Sequence, residues 1–355
     1  MLVGVIGATG YTGLSLLHDL SFSPDARVTV ATSRGERGKR LSEVHPSLAG
    51  VPAYRELVLS DPADIFAMKG KDPENFPEVF FLAVKHKVSM GLVPGILKTG
   101  ARIIDLTGDF RLKDPALYPK WCEFDHECPE YLEEAVYGLP ELHREEIRKA
   151  RLVANPGCYP TSVILALAPL VKNGLLDPGK TVIVDSKSGV SGAGREPVVA
   201  NLFCEVSENF RAYKVVGHRH TPEMTQELNA LGTEKLSLSF TPHLVPANRG
   251  ILSTIYASLK TDIPAEELRK LCLEFYENDP FVRIAPEGVA PQTLDVRGTN
   301  FCDIGFFRDP ETSLHKMVSV IDNLARGASL QAMVNLNIMT GRDETSGVPL
   351  AALRP

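Results

Sequence analysis

The sequence predicts a two-domain protein of the α/β plus α+β class: a parallel-sheet domain, then a domain with a mostly antiparallel sheet. Leu2–Ile6 reads as a buried strand that runs into a glycine turn and a helical pattern of leucines. Strand patterns at residues 79–84 and 102–106 continue this α/β alternation. Residues 235–240 and 251–259 instead alternate polar and apolar positions, which is typical of antiparallel strands with one solvated face.

Length and charge narrow the class of function. A chain of 355 residues favours two domains. A net charge of -6 argues against nucleic acid as a partner, because no large basic field is available. No apolar stretch approaches the roughly 20 residues needed to span a bilayer, and the N-terminus lacks a basic leader region. We therefore expect neither a membrane nor a nucleic-acid partner.

The six cysteines are too sparse in a chain of this length to predict a disulfide framework. None occurs in a C-x-x-C pair, so the sequence predicts no zinc site and no other metal site. A reducing, cytoplasmic setting fits this cysteine usage.

The glycine turn after the first strand has the context of a dinucleotide site. Strand, glycine-rich turn and helix follow one another, and such glycines let the backbone approach a pyrophosphate at a helix N-terminus. This pattern predicts a Rossmann domain. The predicted cofactor contacts here are Gly7, Thr9, Gly10, Tyr11, Thr12 and Gly13.

The end of the second strand pattern indicates which dinucleotide binds. NAD sites usually place an acidic residue there to hold the ribose 2′-hydroxyl. This chain has Ser33 and Arg34, with Arg37, Lys39 and Arg40 following. Hydroxyl and guanidinium groups suit a 2′-phosphate, so we predict NADP(H).

Cys158 is the predicted nucleophile. It follows a strand pattern and the turn residues Asn155, Pro156 and Gly157, and it precedes an apolar helical run. Unpaired N–H groups and the positive end of the helix dipole favour the thiolate at such a position.

Two further segments contain candidate site residues. Residues 186–195 combine glycines, serines and basic residues, as a phosphate-binding loop would. His218 and His220 precede a helix on which Thr221 resembles the N-cap, and either histidine could act as the acid/base. Arg111, after the 102–106 strand, could bind an anion or form a structural turn with Asp109.

A short-chain dehydrogenase is the main rival class, because Tyr256 and Lys260 match its Tyr-x-x-x-Lys pattern. They lie in an alternating strand pattern and would not be helical neighbours, which argues against that class. A non-catalytic NADP(H)-sensing regulator is a second rival, but it would not need Cys158.

The motifs together resemble the N-acetyl-γ-glutamyl-phosphate reductase family, in the superfamily of aspartate-semialdehyde and glyceraldehyde-3-phosphate dehydrogenases. The resemblance lies in residues 7–13, 155–161, 188–195, 218–223 and 298–301, in this order. One departure is visible: the family usually has Leu-Pro-His-Gly where this chain has Val84, Lys85, His86 and Lys87.

The resemblance implies NADPH-dependent reduction of a small-molecule acyl phosphate to an aldehyde in arginine biosynthesis, through a thioester on Cys158 with His220 as acid/base. N-acetyl-α-aminoadipyl phosphate and aspartyl phosphate remain alternative substrates. A homodimer or homotetramer is expected, with a cofactor domain of residues 1–154 and 323–355 and a catalytic and dimerisation domain of residues 155–322. A C-terminal helix is expected to return to the cofactor domain and complete it. The other expected contacts are Ser188, Gly189 and Asn323 for the cofactor, and Arg111, Asn155, Ser191, Arg195 and His218 for the substrate.

Overall fold

The computed structural model describes residues 1–354, which divide into two compact units. The first unit comprises Met1–Pro119, Glu123–Pro156 and Ala328–Val348. The second comprises Lys120–Cys122, Gly157–Gly327 and the residues from 349 onward. The predicted fold class is confirmed, as the two sheets described below demonstrate. The domain boundaries expected from the resemblance stay a prediction.

The first unit contains a six-stranded sheet in the order β2-β1-β3-β4-β6-β5. Its strands are β1 (Leu2–Ile6), β2 (Arg27–Thr32), β3 (Val79–Leu82), β4 (Arg102–Asp105), β5 (Val136–Tyr137) and β6 (Leu152–Ala154). Every neighbouring pair is parallel. Strands β1, β3 and β4 are almost wholly buried, as expected of a parallel sheet covered on both faces.

The helices of the first unit come from both ends of the chain. They are α1 (Tyr11–Leu20), α2 (Leu41–Val44), α3 (Ile65–Lys71), α4 (Val88–Lys98), α6 (Pro140–Lys149) and α11 (Leu330–Met339). Helix α5 (Leu117–Cys122) contributes to both units. The α11 side chains Gln331 and Asn335 donate hydrogen bonds of 3.0 and 2.9 Å to the Gly138 carbonyl, which confirms the predicted return of a C-terminal helix.

The second unit contains a mixed, seven-stranded sheet in the order β11-β12-β13-β10-β7-β9-β8. Its strands are β7 (Val182–Gly189), β8 (Arg211–Ala212), β9 (Leu238–Val245), β10 (Ile251–Ala257), β11 (Val282–Ile284), β12 (Cys302–Arg308) and β13 (His315–Ile321). Antiparallel pairing joins β10 to β7 and β13, β12 to β13 and β8 to β9. The pairs β7–β9 and β11–β12 are parallel.

The helices of this unit are α7 (Cys158–Lys172), α8 (Phe203–Val206), α9 (His220–Leu231) and α10 (Ala265–Phe275). Helix α7 is buried from Tyr159 to Val171 and packs on β10, β13 and α9. Three buried hydroxyl groups also link this helix to the sheet. The Ser253 Oγ lies 2.8 Å from the Ser162 Oγ and 2.7 Å from the Ser186 Oγ. The start of α7 is therefore anchored in the core of its unit.

The structure corrects one boundary that concerns the site. The expected loop at residues 186–195 begins later, because β7 continues through Gly189 between β10 and β9. Tyr256 lies in β10, which confirms that it is not part of a helical Tyr-x-x-x-Lys pair with Lys260. Within residues 1–354, no helix has both the length and the apolar character required to cross a membrane.

Candidate active site

Two glycines of the turn between β1 and α1, Gly7 and Gly13, leave no room for a side chain. Gly7 has φ of 91°, and a Cβ there would lie 2.2 Å from the Ala83 carbonyl oxygen. A Cβ on Gly13 would lie 2.2 Å from the Gly7 oxygen. A Cβ on Gly10 would lie 3.9 Å from the same oxygen, with no other neighbouring atom within 4 Å. The turn is therefore closely packed at Gly7 and Gly13 and open at Gly10. This shape fits the approach of a dinucleotide pyrophosphate to the N-terminus of α1.

The end of β2 lies against this turn. Thr32 Oγ1 accepts the Gly7 N–H at 3.3 Å, and the hydroxyls of Ser33 and Thr9 are 3.1 Å apart. Arg34 is exposed. The other basic residues of the loop are in ion pairs: Arg37 with Asp64, Lys39 with Glu36, and Arg40 with Glu56. Within residues 1–354, Arg34 thus differs from the other basic residues of the loop in having no ion pair.

The segment that departs from the family pattern has a defined structure in the first unit. Lys87 has φ of 71°, a left-handed conformation that favours the glycine usual at this position. Asp109 stabilises it, since its carboxylate accepts the Lys87 N–H at 2.8 Å and the Ser89 hydroxyl at 2.6 Å. The His86 ring nitrogen Nδ1 lies 3.1 Å from the same carboxylate. Asp109 therefore holds the turn without Pro or Gly.

Arg111 and Asn155 make structural hydrogen bonds within the first unit. The Arg111 Nε donates to the Asn155 carbonyl at 2.8 Å, and its Nη2 donates to the Leu106 carbonyl at 3.0 Å. The Asn155 side-chain oxygen accepts from Asn335 at 2.9 Å, and its nitrogen donates to the Ala328 carbonyl at 3.2 Å. These bonds favour the structural interpretation of Arg111 over anion binding.

Cys158 is the first residue of α7, as the sequence predicts. Its side chain is half-buried, and Gly157 occupies the N-cap position with extended backbone. The Gly157 N–H donates to Glu223 Oε1 at 2.7 Å, and the Gly157 carbonyl accepts the Thr161 hydroxyl at 3.0 Å. The thiol therefore lies at the N-terminus of a 15-residue helix, where the helix dipole favours the thiolate.

An aromatic cluster surrounds the two histidines. Ring centroids of Tyr159 lie 5.9 Å from His220 and 6.0 Å from His218, and the two imidazoles are 4.8 Å apart. The Tyr213 hydroxyl donates to the Tyr159 hydroxyl at 3.1 Å. Burial, together with the charge of Cys158, raises the pKa of Tyr213 to about 12. The cluster is thus close enough to Cys158 to interact with its charge.

His218 and His220 differ in their roles. Burial, with the charges of Arg219 and Lys214, lowers the pKa of His218 to about 3. The His218 Nδ1 accepts the His220 N–H at 3.1 Å, so the first N–H group of α9 has a hydrogen-bond acceptor. The predicted N-cap at Thr221 is therefore wrong: α9 begins at His220, and the Thr221 N–H donates to the His218 carbonyl. Because the His218 Nδ1 already accepts this hydrogen bond, His220 is the better candidate for proton transfer.

Four of the predicted contacts meet at the end of β7. The Gly189 N–H donates to the Gly250 carbonyl at 2.9 Å, and the Gly250 N–H donates to Asn323 Oδ1 at 2.8 Å. Asn323 Nδ2 donates to the Ser191 hydroxyl at 2.9 Å. The Ser188 hydroxyl is 3.3 Å from the position of a Cβ on Gly192. Arg195, farther along, is exposed.

Sequence reasoning missed several residues that surround Cys158. Glu223 follows His220 by three residues, a spacing that places both on one face of a helix and could have indicated a shared site. Tyr159 follows Cys158 directly, but no sequence pattern indicates a role for it. Gly327, whose Cβ would lie 2.7 Å from the Cys158 Cβ, had no sequence signal beyond being a glycine.

Comparison with known proteins decides the family. The model for the semialdehyde dehydrogenase NAD binding domain matches residues 2–150, and that for the semialdehyde dehydrogenase dimerisation domain matches residues 158–323. The N-acetyl-gamma-glutamyl-phosphate reductase of Syntrophobacter fumaroxidans is 50% identical over 99% of both chains. That of Geobacter sulfurreducens is also 50% identical, again over 99% of each chain.

This chain belongs to the N-acetyl-gamma-glutamyl-phosphate reductase family. Solved structures with much lower sequence identity to this chain share its fold. Aspartate semialdehyde dehydrogenase II from Vibrio cholerae superposes with a TM-score of 0.70 at 17% identity, covering 96% of this chain and 98% of that one. Aspartate semialdehyde dehydrogenase from Candida albicans gives 0.69 at 18% identity, with the same coverage.

The lowered pKa of His218 predicts a stability change with pH. The unfolded chain binds a proton at this ring below pH about 6.5 and the folded chain only near pH 3, so stability falls as the pH falls through that window. His218→Asn keeps an acceptor for the His220 N–H but removes the titration. Chemical unfolding at pH 7, 6, 5 and 4 should show a smaller loss for the variant, and parallel curves would contradict the assignment.

Proposed function

We propose that this chain reduces N-acetyl-γ-glutamyl phosphate to N-acetyl-glutamate semialdehyde in arginine biosynthesis, as an oxidoreductase that uses NADPH. The supporting observation is the 50% identity to N-acetyl-gamma-glutamyl-phosphate reductases over 99% of both chains. The position of Cys158 at a helix start agrees with acyl transfer to a thiol. A non-catalytic regulator would have no use for this arrangement.

The first unit contains most of the proposed cofactor contacts. The Gly7–Gly13 turn and the N-terminus of α1 hold the pyrophosphate, and Ser33 and Arg34 hold the 2′-phosphate. Thr9, Tyr11 and Thr12 complete this set, and Ser188, Gly189 and Asn323 are assigned to the cofactor as well. When bound, NADPH supplies the hydride that reduces the acyl carbon.

Cys158 is the proposed nucleophile. Its thiolate attacks the acyl carbon of the substrate, the carbon–oxygen bond to phosphate breaks, and inorganic phosphate leaves with the bonding electrons. The acyl group is then a thioester on the Cys158 sulfur. The N–H groups at the start of α7 favour the thiolate before attack and stabilise negative charge on the carbonyl oxygen.

His220 is the proposed acid/base. It takes the proton from the Cys158 thiol before attack and gives a proton to the substrate oxygen during reduction. It takes that proton back as the carbon–sulfur bond breaks, which releases the aldehyde and the Cys158 thiolate. His218 was the alternative, but its pKa of about 3 keeps it neutral at physiological pH, and its Nδ1 is engaged by the His220 N–H. We therefore assign His218 a supporting role within the aromatic cluster, with a substrate contact through its other nitrogen.

The remaining substrate assignments have unequal support. Ser191 and Arg195 suit the phosphate or carboxylate, since Ser191 presents a hydroxyl near the end of β7 and Arg195 an exposed charge. Arg111 and Asn155 were expected to contact the substrate too. Their hydrogen bonds to backbone carbonyls and to Asn335 favour a role in shaping the first unit instead.

We also propose that the chain forms a homodimer or homotetramer in the cytoplasm. The segment after β7 exposes a group of large apolar side chains: Val198, Val199, Leu202, Phe203, Phe210, Val215 and Val216. Phe203 is 82% exposed and Val216 is 92% exposed, and such a group marks an interaction surface. The match of residues 158–323 to a dimerisation domain model supports a second copy as the partner.

The proposed substrate is tested by steady-state kinetics with three acyl phosphates. We expect kcat/KM to be highest for N-acetyl-γ-glutamyl phosphate. N-acetyl-α-aminoadipyl phosphate, which is one methylene longer, should be about 10- to 200-fold worse. Aspartyl phosphate lacks the acetyl group and should react more slowly still. A higher kcat/KM for either alternative would replace the proposed substrate.

Cys158→Ser tests the nucleophile. The variant should bind NADPH with unchanged affinity, measured by fluorescence titration, and lose reductase activity by about three orders of magnitude or more, because a neutral hydroxyl replaces the thiolate. Cys204→Ser is the matched control, since Cys204 is exposed and lies in α8. Near-normal turnover by Cys158→Ser would show that another group forms the acyl intermediate.

Arg34→Ala tests the cofactor preference. Loss of a guanidinium from the 2′-phosphate should weaken NADPH binding by about 10-fold or more and leave NADH binding unchanged. Arg37→Ala is the control, because Arg37 is in an ion pair with Asp64 at 2.9 Å. Equal weakening of both cofactors by Arg34→Ala would be inconsistent with recognition of the 2′-phosphate.

A further inference from the structure

We propose that Glu223 and Gly327 are positioning residues that hold the Cys158 thiol in place from outside its own helix. This inference rests on the proposed role of Cys158 as nucleophile. Neither residue needs to touch the substrate. Glu223 acts through a hydrogen bond to the residue before Cys158, and Gly327 acts by leaving room for the Cys158 backbone.

Glu223 lies in the first turn of α9 and is 2% exposed. Its Oε1 accepts the Gly157 N–H at 2.7 Å, the length of a charge-assisted hydrogen bond. Gly157 is the N-cap of α7, and its conformation determines where the first helical residue, Cys158, begins. The carboxylate therefore fixes the orientation of the peptide that carries the nucleophile.

Electrostatics alone would not place a glutamate here. A carboxylate near a thiol disfavours the thiolate, because like charges repel. The helix N-terminus favours the thiolate, so Glu223 opposes that effect in charge. Glu223 contributes to the turn before Cys158 a strong acceptor for the Gly157 N–H, which is a matter of geometry.

Gly327 packs against Cys158 on another side and leaves no space there for a side chain at position 327. A Cβ at position 327 would lie 2.7 Å from the Cys158 Cβ and 3.2 Å from its Cα. These are atoms at the root of the side chain, which cannot rotate away. Any larger residue would have to displace either the start of α7 or its own segment.

The segment that contains Gly327 is itself firmly held. The Gly327 N–H donates to the Asp322 carbonyl at 2.9 Å. The Asp322 carboxylate, 1% exposed, accepts the N–H groups of Leu324 at 2.9 Å and Gly298 at 2.8 Å, and pairs with Arg249 at 3.1 Å. Because this segment resists displacement, a Cβ at position 327 moves Cys158.

The role of Glu223 is tested by comparing Glu223→Ala with Glu223→Gln. Removing the acceptor should lower kcat by about 10- to 100-fold, because displacing a reacting group by about 1 Å has an effect of this size. The KM for NADPH should not change. Glutamine retains an acceptor oxygen and should keep kcat within about 3-fold of the wild type, although a neutral acceptor is weaker.

Glu227→Gln is the matched control, because Glu227 lies one turn farther along α9 and is 5% exposed. It should retain wild-type kcat. An unchanged kcat in Glu223→Ala would overturn the positioning role. Equal losses in Glu223→Ala and Glu223→Gln would also overturn it, since the charge and not the acceptor would then be what matters.

Gly327→Ala tests the second contact without altering any charge. We expect kcat to fall by about 10-fold or more for the same geometric reason. Gly91→Ala is the control, because a Cβ there has no atom within 4 Å. Wild-type kcat in Gly327→Ala would remove Gly327 from the proposal.

A measurement independent of turnover separates this proposal from the proposed function. The rate of Cys158 alkylation by iodoacetamide is followed by mass spectrometry of its peptide from pH 5 to 10, with Cys158→Ser as the blank. In Glu223→Ala the pH profile should shift relative to Glu223→Gln, which also lacks the charge, and in Gly327→Ala it should shift relative to the wild type. In Glu227→Gln it should not shift. Unshifted profiles in both variants would overturn the positioning roles, even if the substrate assignment holds. Shifted profiles would support them even if the substrate is a different acyl phosphate.

Discussion

The hydrogen bond between the Gly157 N–H and the Glu223 carboxylate is the contact on which the arrangement of the second unit depends. It joins the start of α7 to the start of α9, two helices that also pack along their lengths. His220 and Glu223 are three residues apart on α9, so they share one helical face. One short helix thus supplies both an imidazole near the nucleophile and the acceptor that orients the nucleophile's turn.

Asp322 organises the other side of this region. A single carboxylate accepts the backbone N–H groups of Gly298, Leu324 and Ala325 and pairs with Arg249. The neighbouring Asn323 bridges Gly250 and Ser191. Two consecutive buried residues therefore connect the ends of β7, β10 and β13. Such a fully bonded polar group tolerates little movement, because breaking one bond leaves a buried donor or acceptor unpaired.

Local patterns were sufficient to predict the first unit but not the details of the second. Strand β1 and the glycine turn agree with the prediction because buried runs and glycine spacing are short-range signals. Strand β7 extends four residues farther than expected, because Ser186–Gly189 has the composition of a loop and becomes a strand only by pairing with β10 and β9. The N-cap rule failed at Thr221 because the His218 ring took over that function.

The choice between His218 and His220 also needed tertiary structure. Both have the same local context in sequence, and the distinction comes from the hydrogen bond that the His220 N–H donates to the His218 Nδ1. Glu223 is 66 positions from Gly157, a separation that no local pattern reports. The cysteine itself was identifiable, because the strand, turn and helix around it are contiguous in the chain.

The discontinuity of the first unit has a consequence for biosynthesis. Ser329 donates to the Asp19 carboxylate across 310 positions, and Asn335 bonds to Asn155 across 180. During translation, Asp19 leaves the ribosome on the order of tens of seconds before its partner exists, at typical elongation rates. The second unit has all of its strands before α11 is made. The unit that begins the chain is therefore completed only when residues 328–348 are made, and it stays open to chaperones and proteases until then.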